Sequence, residues 1–351
     1  MKKTKKALAL ILAGMMAASM TARGSGKTAE TTQAAADTTA AESADGTKAE
    51  TSADGASYKV GICQLVQHVA LDAATEGFKD ALTEALGDQV TFDEQNAQGD
   101  SNTCSTIINN FVAEDVDLIL ANATPALQAA QAGTDTIPVL GTAVTEYGVA
   151  LGIDDFNGTV GGNISGTADL APLNEQAAML KELFPDAKNV GLLYCSAEAN
   201  SQYQVDTVKA ELEKLGYTCE YYAFSDSNDL ATIVTNAANS SDVIYIPTDN
   251  TAAANTEIIN NICQPAGVPI ILPIIAGEEG ICSGCGVATL SISYYDLGVA
   301  TGKMAAKILT GESNISEMPI EYAPQFTKKY NKTICEALGV TVPDDYVAIE
   351  E

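Results

Sequence analysis

Polar side chains that could hold a small solute follow several apolar runs of this sequence. They are Gln64, His68, Thr124 and Thr145 in the first half, and Ser196, Glu198, Asn200, Asp249, Asn250 and Glu278 in the second half. The first group has no acid, whereas the second has three. Hydroxyls and helix N-terminal amides bind carboxylates, and acids bind ammonium groups, so this division predicts a site for a zwitterion.

Several of these residues also have an ordinary structural explanation. Thr124 is followed by a proline, and Thr with Pro at the first helical position is a typical helix start. Asp249 can cap the helix after it, and Glu198 and Glu278 can complement a helix dipole. The single histidine, His68, can support the fold or hydrogen-bond a ligand. Ligand contact and structural support therefore remain alternative interpretations.

The composition argues against several other functions. The net charge is −28, with 46 acids and 18 bases, which disfavours nucleic-acid binding. Arg23 is the only arginine and His68 the only histidine, so a multi-histidine metal site cannot form. The sequence contains neither a Gly-x-Ser-x-Gly elbow nor a Gly-x-x-x-x-Gly-Lys phosphate loop. We therefore expect no catalytic residues, no metal and no cofactor.

Eight cysteines lie between residues 63 and 335. Cys282 and Cys285 have the spacing of a metal or redox pair, but no second pair at matching spacing accompanies them. We expect a local disulfide or two thiols there. Cys63 and Cys195 stand at the ends of predicted strands, and we expect buried thiols at both positions.

The elements that position these residues alternate between β-rich and helical patterns, which is typical of parallel βα units. The predicted strands are 58–64, 90–95, 117–121, 137–141, 189–194, 218–223, 242–246 and 268–272, with helices such as 70–86 and 198–214 between them. The second four strands resemble the first four, which predicts two doubly wound α/β lobes. Ligands bind at the carboxyl ends of parallel strands, so the polar loops would face each other across a cleft.

The first 57 residues have a different character. Residues 1–23 place four lysines before an apolar run, as an export signal does. Residues 24–57 are rich in Ala, Ser and Thr, which predicts a disordered spacer. The segment around Arg23 is similar to a lipoprotein processing site in which arginine replaces the cysteine that would carry the lipid. We expect an exported protein, tethered to a membrane if a lipidated cysteine replaces Arg23 and extracellular or periplasmic otherwise.

The loops also resemble a known family, the substrate-binding proteins of ABC importers that include tryptophan- and tyrosine-binding members. The similar stretches include His68-Val69-Ala70-Leu71-Asp72, Gly141-Thr142-Ala143-Val144-Thr145, Pro247-Thr248-Asp249-Asn250 and Tyr294-Tyr295-Asp296-Leu297-Gly298. The resemblance implies a type I periplasmic-binding-protein fold with three hinge crossings. It also implies lobes of 58–170 plus 290–315 and 171–289 plus 316–351.

These observations together predict a monomeric, non-enzymatic receptor that closes on an amino acid-like solute and delivers it to an ABC permease. An aromatic amino acid is favoured by the resemblance. Two alternatives remain on the same fold: a receptor for a nucleoside or sugar, and a surface adhesin or sensor ectodomain. The absence of Trp disfavours a sugar, because sugar sites usually need aromatic platforms.

Overall fold

The computed structural model describes residues 57–264, 270–271, 281–323 and 325–349. The predicted signal segment and nearly all of the predicted spacer lie outside the described residues. Every helix within those ranges is too short or too polar to span a lipid bilayer.

Two sheets organise this part of the chain. The first half forms β1 (Tyr58–Gln64), α1 (Val69–Leu86), β2 (Val90–Asn96), α2 (Ser101–Ala113), β3 (Leu118–Asn122), α3 (Thr124–Gly133), β4 (Val139–Val144), α4 (Tyr147–Leu151) and β5 (Ile164–Ala168). These strands belong to a parallel sheet of order β11-β5-β4-β3-β1-β2, whose edge strand β11 comes from later in the chain. The parallel order with helical crossovers confirms the predicted α/β class.

The second half repeats the pattern. It forms α5 (Leu173–Leu183), β6 (Asn189–Cys195), α6 (Ala199–Lys214), β7 (Thr218–Phe224), α7 (Ser227–Ser240), β8 (Val243–Tyr245), α8 (Asn250–Ala253), α9 (Thr256–Cys263), β9 (Ile270–Ile271), α10 (Ile281–Cys285) and β10 (Ala288–Ser291). The sheet order is β13-β12-β10-β9-β8-β6-β7; among the described strands, β10 and β12 pair antiparallel and the other neighbours pair parallel.

The last part of the chain returns to both sheets. It forms α11 (Tyr294–Leu309), β11 (Glu321–Tyr322), β12 (Thr327–Tyr330), α12 (Lys332–Leu338) and β13 (Val347–Ala348). The chain passes between the sheets after β5, after β10 and after β11. The predicted first lobe ended at residue 315. The first sheet extends further along the chain, because the two-residue strand β11 pairs with β5. A two-residue edge strand has too short a pattern to be recognised in a sequence.

Helix α11 packs closely against α1. A Cβ added at Gly77 would collide with the carbonyl oxygen of Tyr295, and one added at Gly298 would collide with that of Ala74. Only glycine lets the two helix backbones approach this closely. The contact fixes α11 on the first sheet's side of the molecule, although its sequence follows β10 of the second sheet.

Candidate functional site

The carboxyl ends of the first sheet carry a connected set of buried polar groups. Gln64 ends β1 and lies beside Asn122, which ends β3. The Gln64 amide donates to the Asp72 carboxylate at 2.6 Å, and its oxygen accepts from the Thr75 hydroxyl at 2.7 Å. Asn122 donates to the carbonyl of Leu71 at 2.9 Å. These bonds attach the start of α1 to the sheet, so Gln64 holds the loop that carries His68.

The next two strand ends have an unusual backbone. Ala123 has φ 87° and Ala143 has φ 52°, a region that residues with a side chain rarely adopt. Such conformations cost energy and concentrate at binding sites. Thr124, the first residue of α3, is 1% exposed and follows the strained Ala123 directly. The first-turn amides of Thr124 and Ala126 have no acceptor within the helix, so they point out of its N-terminus.

Thr145 and Asp169 leave the sheet side by side, because Val144 and Ala168 are register partners on β4 and β5. Both are 1% exposed. The Tyr294 hydroxyl, at the start of α11, donates to Asp169 Oδ2 at 2.6 Å. Burial raises the pKa of Asp169, while the Tyr294 and Thr145 hydroxyls lower it. Asp169 was not predicted, since the surrounding Gly166-Thr167-Ala168 does not resemble a strand end.

On the second sheet, Glu198 holds the first turn of α8. Its Oε1 accepts from the amide and the hydroxyl of Thr251, both at 2.9 Å. Its Oε2 accepts from the Asn250 backbone amide at 3.0 Å and from the Asn250 side chain at 2.7 Å. The carboxylate is 3% exposed and fully engaged within its own sheet's loops. The structural interpretation of Glu198 therefore has direct support.

Asp249 is engaged in the same way. Its Oδ1 caps α8 by accepting from the Ala252 amide at 2.8 Å, and its Oδ2 accepts from the Cys195 amide at 2.6 Å. Burial and the negative charge of Glu198 raise the pKa of Asp249, whereas the two amides lower it. The side chain thus joins the end of β6 to the loop after β8.

The remaining predicted residues of this sheet lie nearby or outside the described part. Asn200 is buried at the start of α6 and donates to the Thr248 carbonyl at 2.8 Å. Ser196 is exposed, and its hydroxyl donates to the Phe224 carbonyl at 3.1 Å, so it ties β6 to β7. Glu278 lies outside the described residues.

One hydrogen bond joins the two sets of loops. His68 Nε2 lies 3.2 Å from Asn250 Oδ1. The Asn250 amide nitrogen faces Glu198, so its oxygen must face His68, and Nε2 must carry the proton. Burial lowers the pKa of His68 to about 4, which keeps the ring neutral at pH 7. Its buried Nδ1 is then an acceptor, and no residue in the described ranges donates to it.

A cavity of about 270 Å³ lies between the two sets of loops, and its lining includes Glu198 but not His68, Thr124 or Thr145. Leu65, Val66 and Pro125 line it from the first sheet's loops, and Cys195, Glu198 and Thr251 line it from the second. Loops from both sheets therefore contribute to one space of the size of a small molecule.

All eight cysteines lie among the described residues, and none of them forms a disulfide there. Cys63 and Cys195 are buried thiols, as predicted, and Cys282 and Cys285 are also reduced and buried. Burial raises the pKa of Cys195 to about 12, so this thiol beside the cavity stays protonated. It acts as a small apolar side chain rather than as a nucleophile.

Residues 59–350 match the family of ABC transporter substrate binding proteins. A tyrosine-binding protein from Clostridioides difficile is 34% identical over 97% of this chain and 94% of its own length. These similarities cover the whole described part of the chain, including both sets of loops.

Two solved structures also resemble it. One, from Streptococcus pneumoniae, is an ABC domain in complex with L-Trp, at 34% identity and a TM-score of 0.77 over 82% of this chain and 96% of that chain. Another is a ligand-free, open substrate-binding protein with adhesive properties from Clostridium difficile. It also has 34% identity, with a TM-score of 0.62 over 84% of this chain and 99% of that chain. At equal identity, the TM-score is higher for the L-Trp complex than for the ligand-free structure.

Proposed function

This chain belongs to the ABC transporter substrate-binding protein family, and from that premise we propose that it binds an aromatic amino acid, tyrosine or tryptophan, and delivers it to an ABC permease. The observation that carries the proposal is the convergence of buried polar residues at facing carboxyl edges of two sheets. The tyrosine-binding and L-Trp-bound relatives supply the ligand class. A substrate-binding protein needs no catalytic group, and its task is to close on a solute.

The carboxylate of the ligand would bind at the first sheet. Thr124 and Thr145 present buried hydroxyls there, and the N-terminus of α3 contributes amides and a favourable dipole. His68 would contact the ligand through Nδ1 on the facing loop. Gln64, Asn200, Glu198 and Asp249 would hold these groups in place rather than meet the solute.

The surroundings of the receptor are part of the same proposal. Residues 1–23 would direct export, and residues 24–57 would separate the folded part from the membrane. A lipid anchor would require cysteine in place of Arg23. The exported protein would act as a monomer on the outer side of the membrane and would deliver its solute to the permease there.

A panel of amino acids, nucleosides and sugars tests the ligand class on the full-length chain. Because the chain has no Trp, fluorescence of added L-tryptophan can be followed directly. Thermal unfolding provides a second measurement, since a ligand at a thousand times its Kd adds about 4.1 kcal/mol to stability. We expect tyrosine or tryptophan alone to raise the midpoint. A response to a sugar or nucleoside and to no amino acid would overturn the proposal.

Thr124→Val provides a test of the site itself. The change keeps the shape of the side chain and removes the hydroxyl, so we expect Kd for tyrosine or tryptophan to rise about 10-fold. Thr106→Val makes the same change at an exposed position of α2 and should leave Kd unaltered. Equal Kd values for both variants would exclude Thr124 from the contact.

A further inference from the structure

Three carboxylates are buried in the part of the chain that the structure describes. Asp169, Glu198 and Asp249 are 1%, 3% and 4% exposed. Both oxygens of Glu198 and both oxygens of Asp249 accept hydrogen bonds from the loops around them. Asp169 differs, because its Oδ2 accepts from the Tyr294 hydroxyl and the nearby Thr145 hydroxyl lowers its pKa, yet its buried Oδ1 accepts no hydrogen bond from the described residues.

The position of Asp169 is as informative as its missing partner. It follows β5 where Thr145 follows β4, so both residues stand at the carboxyl edge of the first sheet. Tyr294 approaches the same carboxylate from the chain that has just crossed from the second sheet. Asp169 therefore lies where two crossings between the sheets meet.

No buried cation among the described residues balances the charge of Asp169. None of the buried side chains in the described ranges belongs to lysine or arginine. Other buried acceptors near the cleft also lack a described donor, namely His68 Nδ1, Asn122 Oδ1 and Asn200 Oδ1, but all three are neutral. A buried carboxylate with an open oxygen is costly unless a cation accompanies it. Burial accordingly raises the pKa of Asp169.

We infer that Asp169 binds the ammonium group of the amino-acid ligand through its open Oδ1. This inference rests on the proposed function, and it moves ammonium recognition from the acids of the second sheet to the first. Glu198 and Asp249 support their loops, and Asp169 distinguishes an amino acid from a solute without an amine.

The spacing of the strands agrees with this assignment. Asp169, Thr145 and Thr124 stand at the ends of β5, β4 and β3, which are neighbours in the sheet. Strands lie about 4.8 Å apart, so the outer two ends are about 10 Å apart. The ammonium nitrogen and carboxylate oxygens of an α-amino acid are about 3 Å apart, and hydrogen bonds at each end add about 3 Å each. One amino acid thus spans from Asp169 to Thr124.

Paired ligands with and without the amine test the inference. The probes are L-tyrosine against 3-(4-hydroxyphenyl)propionate, and L-tryptophan against indole-3-propionate, titrated calorimetrically into the full chain. We expect the wild type to prefer the amine-bearing member at least 100-fold, because removing one partner of a buried charge pair is this costly. In Asp169→Asn the preference should fall below about 10-fold. Asp88→Asn makes the same charge change at an exposed position at the amino end of β2 and should keep the full preference.

Each outcome decides between distinct interpretations. An unchanged preference in Asp169→Asn overturns the inference, as does a preference that collapses in Asp249→Asn instead. Thermal unfolding without ligand checks that each variant is folded. If the folded wild type binds neither L-tyrosine nor L-tryptophan, the proposed ligand class fails, and that result is distinguishable from a failure at Asp169.

Discussion

Replacing Glu198 with glutamine tests whether this acid supports the protein or meets the solute. The carboxylate accepts five hydrogen bonds from three residues, Asn200, Asn250 and Thr251. Glutamine keeps one oxygen and replaces the other with an NH₂ group. The donors at the replaced oxygen would then face another donor, so at least two hydrogen bonds are lost at a buried position.

The expected cost follows from these contacts. A hydrogen bond to a charged group contributes about 1.5–3 kcal/mol, and the two losses share one loop and are not fully additive. We therefore expect Glu198→Gln to lower the free energy of unfolding by about 2–4 kcal/mol without any ligand. The Asn250 side chain also loses the group that orients its oxygen towards His68.

Urea unfolding of the ligand-free protein, followed by circular dichroism, measures this change. Glu84→Gln is the matched control, because Glu84 is exposed on α1 and its substitution should stay within about 0.5 kcal/mol of wild type. The reasoning would be refuted if Glu198→Gln left the unfolding free energy unaltered but weakened amino-acid binding. Glu198 would then be a ligand contact.

Three further predictions concern the cleft and the helix pair. Asn250→Ser removes the amide oxygen that accepts the His68 hydrogen bond. We expect the Kd for tyrosine or tryptophan, measured by calorimetry, to rise about 2- to 12-fold. An unchanged Kd would show that this bond does not help the two sets of loops to close on the ligand. The pKa of His68 is about 4 when folded and about 6.5 when unfolded, so the unfolded chain binds more protons between these values and stability rises with pH. The stability of wild type relative to His68→Gln should therefore fall by about 1–3 kcal/mol from pH 7 to pH 4, and parallel curves would contradict the neutral, buried ring. Gly298→Ala places a Cβ against the Ala74 carbonyl and should lower the unfolding free energy by about 1–3 kcal/mol, whereas an unchanged value would mean that α11 shifts freely.

Many of the strands and helices were predictable, because β-rich and helical patterns alternate regularly along the sequence. The strand at 58–64 has the predicted bounds, and the polar loops at 64–68, 196–200 and 248–250 follow strands as expected. In contrast, β5 was missed, since Ile164-Ser165-Gly166-Thr167-Ala168 has little apolar periodicity. Asp169 was missed with it.

The sequence could not show which acids bind the ligand and which support the fold, for a different reason. Glu198 and Asp249 both precede helices, and a local pattern cannot distinguish an acid that binds a ligand from one that caps a turn. The bonds that decide the matter join residues about fifty positions apart, such as Glu198 to Asn250 and Asp249 to Cys195. The His68–Asn250 bond spans 182 positions. Such partners are known only once the chain is folded.

The glycine contact between α1 and α11 has a consequence for the order in which the protein acquires its structure. Helix α1 ends at residue 86 and α11 begins at residue 294, with the whole second sheet up to β10 between them. A chain that emerges N-terminus first must therefore complete most of its synthesis before α11 can pack against α1. Contacts at such long separation form slowly, because closing the loop costs entropy before packing returns it. The early half of the folded part thus remains incomplete until late in synthesis.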